Sequence, residues 1–266
     1  MNIARSLSVG FQLTLERTKS QLVYTTNFWA ITVGTLAFSA VMVLFIIMLS
    51  MRVGTIAGYG RDSFILMILI GQLTWLVMTT TMGKPMARLN EQVNNGNFDF
   101  VLLRPMSSLW YVYANGTDLV YALLNIGPYL VITLPFINWD NLAIPVSRLL
   151  PALLVWVSGL GLMRFMYLLM ALPAFTSGDS GNLLDVSYSM LSQYLFPFSA
   201  TPTYMKVLGM SVIPTILLIS GTAFVLVDAG DHTQLVIIAC IIGCVSQLAL
   251  LIMWKWALRR YTSASS

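Results

Sequence analysis

Charge is what this sequence has least of. Only 9% of its 266 residues are charged, 14 lysines and arginines against 10 aspartates and glutamates, while 58% are hydrophobic. A soluble domain carries about 25% charged residues, so these charges cannot cover a water-exposed globule. An ordinary soluble enzyme or nucleic-acid binder is excluded, and so is disorder, which needs the opposite bias. Cysteine is nearly missing: Cys240 and Cys244 share one apolar run, which offers neither a disulfide framework nor a metal cluster. The single histidine, His232, excludes chemistry that needs two. The net charge of +4 is scattered between apolar runs, so it speaks to topology rather than to a basic binding patch. What remains is an all-α polytopic membrane protein.

A helix needs about 20 mostly apolar residues to cross the hydrocarbon core. Seven stretches pass that length test: Ser20–Met51 (apolar centre Phe28–Leu49), Ser63–Gly83, Leu119–Trp139, Leu149–Phe175, Val186–Met205, Val207–Val227 and Thr233–Trp254. An uncharged lead-in, Pro105–Thr117, precedes the third, and only Arg164 interrupts the fourth. The fifth and sixth stretches are poorer. Val186–Met205 carries Pro197 and Pro202, Val207–Val227 has Pro214 in its middle, and Lys206 alone separates them. Arg5, Arg17 and Lys19 at one end and Lys255, Arg259 and Arg260 at the other place both termini in the cytoplasm by the positive-inside bias. Two cytoplasmic ends require an even number of crossings. The expectation is six transmembrane helices plus an outer re-entrant hairpin at residues 203–230, between the fifth and sixth spans. On that topology nine basic residues lie inside and four outside (Arg52, Arg61, Arg148, Lys206), with Arg164 in the membrane. Non-helical backbone at membrane depth survives only when packed in protein or facing a water-filled cavity. The chain reads as one transmembrane domain over residues 1–266.

No secretory signal is apparent. Residues 1–20 place Leu7, Phe11 and Leu15 on one helical face among charges, as an interfacial helix does. The largest cytoplasmic piece is residues 84–110. There Arg88, Glu91 and Gln92 precede the turn signal Asn94-Asn95-Gly96-Asn97. Asp99 is placed to cap a short apolar turn, Phe100–Leu103, which Arg104-Pro105 ends. Such a helix fits a partner's groove or serves as a folded connecting loop.

The run Gly96-Asn97-Phe98-Asp99-Phe100-Val101-Leu102-Leu103-Arg104-Pro105-Met106-Ser107 resembles the Leu-Leu-Arg-Pro signature of the ABC-2 family of exporter permeases. Gln193–Pro214 is similar to that family's segment after the fifth span, and Trp256–Tyr261 with Ser263 and Ser265 to its C-terminal ending. The resemblance implies the permease half of an ATP-binding-cassette exporter, working as a dimer with an identical or homologous second permease. Separate cytosolic ATPase subunits would carry ATP and Mg. It also implies an inner-membrane location, contact with membrane lipid, and an amphipathic or hydrophobic export substrate. Coupling to the ATPase would go through Glu91, Phe98, Asp99, Phe100, Leu102, Arg104 and Pro105. Arg104 would pair with an acid there, and Phe98, Phe100 and Leu102 would fill its cleft.

The chain carries no G-x-x-x-x-G-K-[ST], so it has no Walker loop of its own, and no catalytic role is expected. Asp228, Asp231 and His232 read as a solvated turn rather than a metal site, since a fourth ligand is missing. A secondary transporter or channel is the alternative reading, with a membrane-embedded enzyme behind it; no convincing repeat between halves supports the transporter. Pathway candidates on the first, second and fifth spans are Tyr24, Thr26, Asn27, Gln72, Ser189, Gln193 and Tyr194, for which helix packing is the competing explanation. Asp118 and Arg164 are expected to pair at membrane depth, since a lone charge there costs about 2.5–3.5 kcal/mol even on lenient scales.

Overall fold

The computed structural model describes residues 59–117, 133–177 (except 143), 201–211, 214–262 (except 229), 198–199, 127, 130–131, and part of the N-terminal region: 8–9, 11–16, 19, 29–30, 32–34, 36–38, 40–41, 44–45 and 48. The described residues are helical, with no strand. Three helices are long and apolar enough to cross a membrane: Arg61–Asn94, Val146–Thr176 and Thr233–Arg260. They coincide with the stretches expected at 63–83, 149–175 and 233–254, and each runs further. The first expected span falls largely outside the described residues. Its described helical positions between 29 and 48 leave Trp29, Val33, Phe38, Val41, Phe45 and Met48 exposed, as a lipid-facing helix does.

The first long helix has three parts. α1 (Arg61–Met78) passes through a π turn (Thr79–Gly83) into α2 (Lys84–Asn94). Pro85 explains the turn. It has no N–H for the carbonyl four residues back, and its ring would collide with that carbonyl. A π turn widens the backbone there, and the Lys84 N–H bonds Thr79 O, five residues back. The hydroxyls of Thr80 and Thr81 donate to Leu76 O (2.8 Å) and Val77 O (2.6 Å), satisfying carbonyls at the distortion. The helix therefore continues past the apolar stretch and across the proline into the cytoplasmic piece expected at 84–110.

Next come α3 (Phe98–Leu102), α4 (Ser108–Gly116), α5 (Leu149–Ala171), α6 (Thr203–Ser211), α7 (Thr222–Val227, led by a π turn over Ile216–Gly221) and α8 (Thr233–Arg260). Pairwise contacts fix their directions. Gly243 of α8 packs on Ser158 of α5, and the Gln247 side-chain amide donates to Gly161 O at 2.9 Å. Trp156 Nε1 of α5 donates to Thr74 Oγ1 of α1 at 2.8 Å. Further along, Phe98, just past α2, meets Phe175, just past α5. Register rises together in all three, so α1, α5 and α8 run parallel.

α5 and α8 approach closely because small residues face each other, as membrane helices do without a hydrophobic drive between them. A Cβ on Gly243 would lie 2.9 Å from the Cα of Ser158, and one on Gly161 would lie 3.0 Å from Gln247 Nε2. The α1 window is 67% buried and the α8 window 22% buried, so α1 is central and α8 presents one side outward.

The residues between 198 and 227 fold back on themselves. α6 packs against the π turn over Ile216–Gly221 and against α8. Lys206 lies over the ring of Phe198, which packs on Phe224, and Phe224 packs on His232 at the head of α8. The return arm runs antiparallel to α5: Leu218 opposes Gly159, Gly221 opposes Val155, and Arg148 donates to Leu226 O and Val227 O at 3.4 Å. Both ends of this pair thus sit at the Arg61 end of the bundle. At 1.5 Å per residue, Gly159 lies about 16 Å along α5 from Arg148, so the arm starts near mid-depth.

Candidate partner-docking surface

At the Asn94 end, α2, α3 and α4 form one platform. Gly96, with φ 70°, makes the turn between α2 and α3 in the left-handed region that glycine tolerates. Asn97, not Asp99, occupies the N-cap position of α3, and Asp99 falls in its first turn, where a carboxylate suits the helix dipole. Ser107 caps α4, its Oγ accepting from the Trp110 N–H at 3.3 Å.

Phe98 faces inward. It is fully buried and meets Phe175, Trp254 and Tyr261 edge-on, with centroids 5.5, 6.2 and 5.1 Å away. The expectation that Phe98 fills a partner's cleft is thereby corrected, because its ring is enclosed within the chain. With Phe98 and Val101 turned in, the other face of the short helix turns out: Phe100 is 65%, Leu102 44% and Leu103 79% exposed. Glu91, Arg104 and Pro105 are exposed around them, and Asp99 is half-buried. The Arg104 guanidinium lies 5.7 Å from the Tyr111 ring centroid, beside this apolar tip. Three large apolar side chains on one exposed turn, rimmed by both charge signs, suit a groove on another protein.

The platform is braced from below. Arg88 donates to Asn115 O (3.0 Å) and Gly116 O (2.7 Å), satisfying the last carbonyls of α4 with a cation where the helix dipole favours one. Gly116 meets Pro85 so closely that a Cβ would fall 2.3 Å from the proline Cα. Leu103 and Gly116 carry this arrangement but escaped the sequence reading. Leu103 belonged to a recognised apolar turn whose facing needs coordinates, and nothing local marks Gly116 as a contact.

The membrane-depth residues are placed as follows. Gln72 lies on α1, half-buried. Tyr24, Thr26, Asn27, Ser189, Gln193, Tyr194 and Asp118 lie outside the described residues. α4 ends at Gly116 and Thr117 is extended (ψ 137°), so the lead-in does not run as one helix from Trp110 towards Asp118. Arg164 sits on α5 with its guanidinium 3.9 Å from the ring centroid of Tyr113.

At the Arg61 end the acids serve their own turns. Asp228 Oδ2 accepts from the Gly230 N–H at 2.9 Å, and its carbonyl lies 3.1 Å from His232 Nε2. Asp231 Oδ1 accepts from both the N–H and the hydroxyl of Thr233, at 2.9 and 2.6 Å, which holds its carboxyl below the usual range. Burial, with the nearby Asp228 charge adding to it, pushes the Tyr59 phenol up to about 12. Asp62 accepts from the Asn138 N–H and the Asn141 side chain, pinning the loop before α5.

No curated protein and no solved structure shows significant similarity to the chain. The family model described as ABC-2 family transporter protein matches residues 36–265. With parallel apolar helices, an exposed apolar turn at one end and the family model extending over most of the sequence, the chain belongs to the ABC-2 transporter family of multi-pass membrane permeases.

Proposed function

We propose that this chain is the permease subunit of an ATP-binding-cassette exporter, pairing with a second permease and driven by separate ATPase subunits at the Asn94 end. The observation that carries the reading is the α3 turn. Phe98 anchors it inside the chain, while Phe100, Leu102 and Leu103 stand exposed beside Arg104. In this arrangement Phe100, Leu102 and Leu103 enter the ATPase cleft, Arg104 pairs with an acid at its rim, and Phe98 holds the turn in place. The Asn94 end is cytoplasmic, as the bias of basic residues favours. ATP and Mg belong to the partner.

The directions of the helices support six crossings. Parallel α1, α5 and α8 require an odd number of crossings between each consecutive pair. One crossing near 119–139 satisfies the first gap. The second gap holds two apolar stretches, and a crossing plus a re-entrant hairpin satisfies it where two crossings do not. The return arm Ile216–Val227 has 12 residues, about 18 Å of helix against a core of about 30 Å. An amphipathic substrate would pass between this chain and its partner permease, with the hairpin closing the outer exit.

The test is co-purification of the tagged full chain from membranes. A P-loop ATPase should accompany the wild type and be lost from Arg104→Glu and Leu103→Asp, with the permease still melting normally. A permease that transports without any associated ATPase would instead be a secondary transporter.

A further inference from the structure

A cavity of about 580 Å³ opens between the N-terminal helical residues 11–16, the π turn of the first long helix, α4 and α5. That volume is in the range of small-ligand sites. Phe11, Met82 and Trp110 give it apolar walls. Its polar groups divide sharply by what they can still offer. The hydroxyls of Thr81 and Thr117 already donate to Val77 O and Tyr113 O, so they can serve a ligand only as acceptors. Tyr113 is 6% exposed, and its hydroxyl is buried without a hydrogen-bond partner. The Arg164 guanidinium lies over the Tyr113 ring, and its buried Nε has no hydrogen-bond partner. A guanidinium lying over a ring keeps edge N–H groups that can donate in pairs to an oxyanion such as phosphate.

Arg164 is nine residues before Pro173, about 13 Å along the helix axis from that end. A cation at such depth is costly unless it finds a counter-charge or water. Among the described lining residues Arg164 and Tyr113 supply a cationic donor centre set among acceptor oxygens, and the cavity opens past Phe11, which is exposed beside Leu15 on the same helical turn. We propose that this cavity binds an anionic phospholipid with a hydroxyl-bearing headgroup. Its phosphate accepts from Arg164 and the Tyr113 hydroxyl, its headgroup hydroxyls donate to the threonine oxygens, and its acyl chains leave past Phe11 and Trp110. Basic pockets between membrane helices favour anionic headgroups in this way. Which leaflet supplies the lipid follows from the topology proposed above; the choice of ligand does not.

The experiment is native mass spectrometry of the full chain in detergent, titrated with phosphatidylglycerol or phosphatidylcholine of identical acyl chains. The expected result is one phosphatidylglycerol per chain, held at least about fivefold more tightly than phosphatidylcholine, the value of one cation against an anionic lipid. Arg164→Gln should erase that preference, Tyr113→Phe should reduce it, and Lys206→Gln at the opposite end should leave it intact. Dodecyl phosphate should displace the lipid, and inorganic phosphate at equal concentration should not. Equal retention of the two lipids by the wild type overturns the proposal, whether or not the variants fold. So does an unchanged preference in Arg164→Gln. Displacement by inorganic phosphate alone would make the site one for a soluble anion and overturn the lipid assignment. None of these readings needs an ATPase, so failure of the exporter reading and failure of this one are separate results.

Discussion

The ring of Phe98 stands edge-on to that of Tyr261 with 5.1 Å between centroids, joining the turn after the first long helix to the residue that ends the last. The contact draws residues far apart in sequence into one aromatic cluster, with Phe175 and Trp254 completing it. Phe98→Ala should lower the stability of the purified chain by about 3–5 kcal/mol, as removal of a buried phenylalanine does. Phe100→Ala, two residues on and exposed, should stay within about 0.5 kcal/mol of wild type. Melting in detergent checks the contrast; equal losses would mean the facing of α3 is misassigned.

Arg88→Ala removes both bonds to the end of α4. Hydrogen bonds to a charged donor contribute about 1.5–3 kcal/mol, and the orphaned carbonyls add desolvation. Hydrogen exchange should report faster opening of 108–116 in this variant, with α8 protection unchanged. Arg88→Lys should recover part of the loss, because an ammonium reaches one carbonyl at a time.

Gly116→Ala forces a methyl against backbone, since the nearest atom is the Pro85 Cα at 2.3 Å. Overpacking of this kind costs about 1–3 kcal/mol. Gly60→Ala meets nothing within 4 Å and its φ of −67° suits any residue, so it should lose only what alanine costs at the N-cap of α1, under about 1 kcal/mol. Thermal melts of the two variants side by side decide the point.

Asp231 sets an acid sensitivity at the head of α8. Its carboxyl is held below the unfolded value by the two Thr233 bonds. A carboxylate depressed in the folded state stabilises fully above its unfolded pKa, near 3.9, and that contribution fades as pH falls through the lower folded value. The melting temperature of the wild type should therefore fall towards that of Asp231→Ala only in this acid window. In other words, the gap between wild type and Asp231→Ala should shrink as pH falls from about 5 towards 3. A gap that widens would reverse the sign argument.

Much of the membrane architecture is legible in the sequence, because apolar length is a property of the chain itself. Ser63–Gly83, Leu149–Phe175 and Thr233–Trp254 all fall inside the long helices, and the turn at Asn95–Asn97 stands where Asn-Asn-Gly-Asn places it. Two kinds of information are missing from such a reading. Pro85 looks like a helix stop, and only the backbone shows that a π turn accommodates it. Phe98 and Phe100 are equally apolar neighbours, and which one faces inward depends on Phe175, Trp254 and Tyr261 being gathered above them. Helix direction is likewise a tertiary fact: the parallel run of α1, α5 and α8 appears only once Gly243 meets Ser158 and Trp156 meets Thr74.

The unbroken helix from Arg61 to Asn94 makes the chain a shaft of about 51 Å. On the proposed reading, a partner's thrust at the Phe100 tip would pass through the short turn at Asn95–Asn97 into α2 and along one continuous helix to membrane depth. The place with give is the π turn, where the widened ring departs from the tighter α-helical spacing. Timing is fixed by length: one alanine inserted between Ala87 and Arg88 would rotate everything beyond it by about 100°. Arg88 would then lose the end of α4, and the tip would point away from where the shaft now aims it.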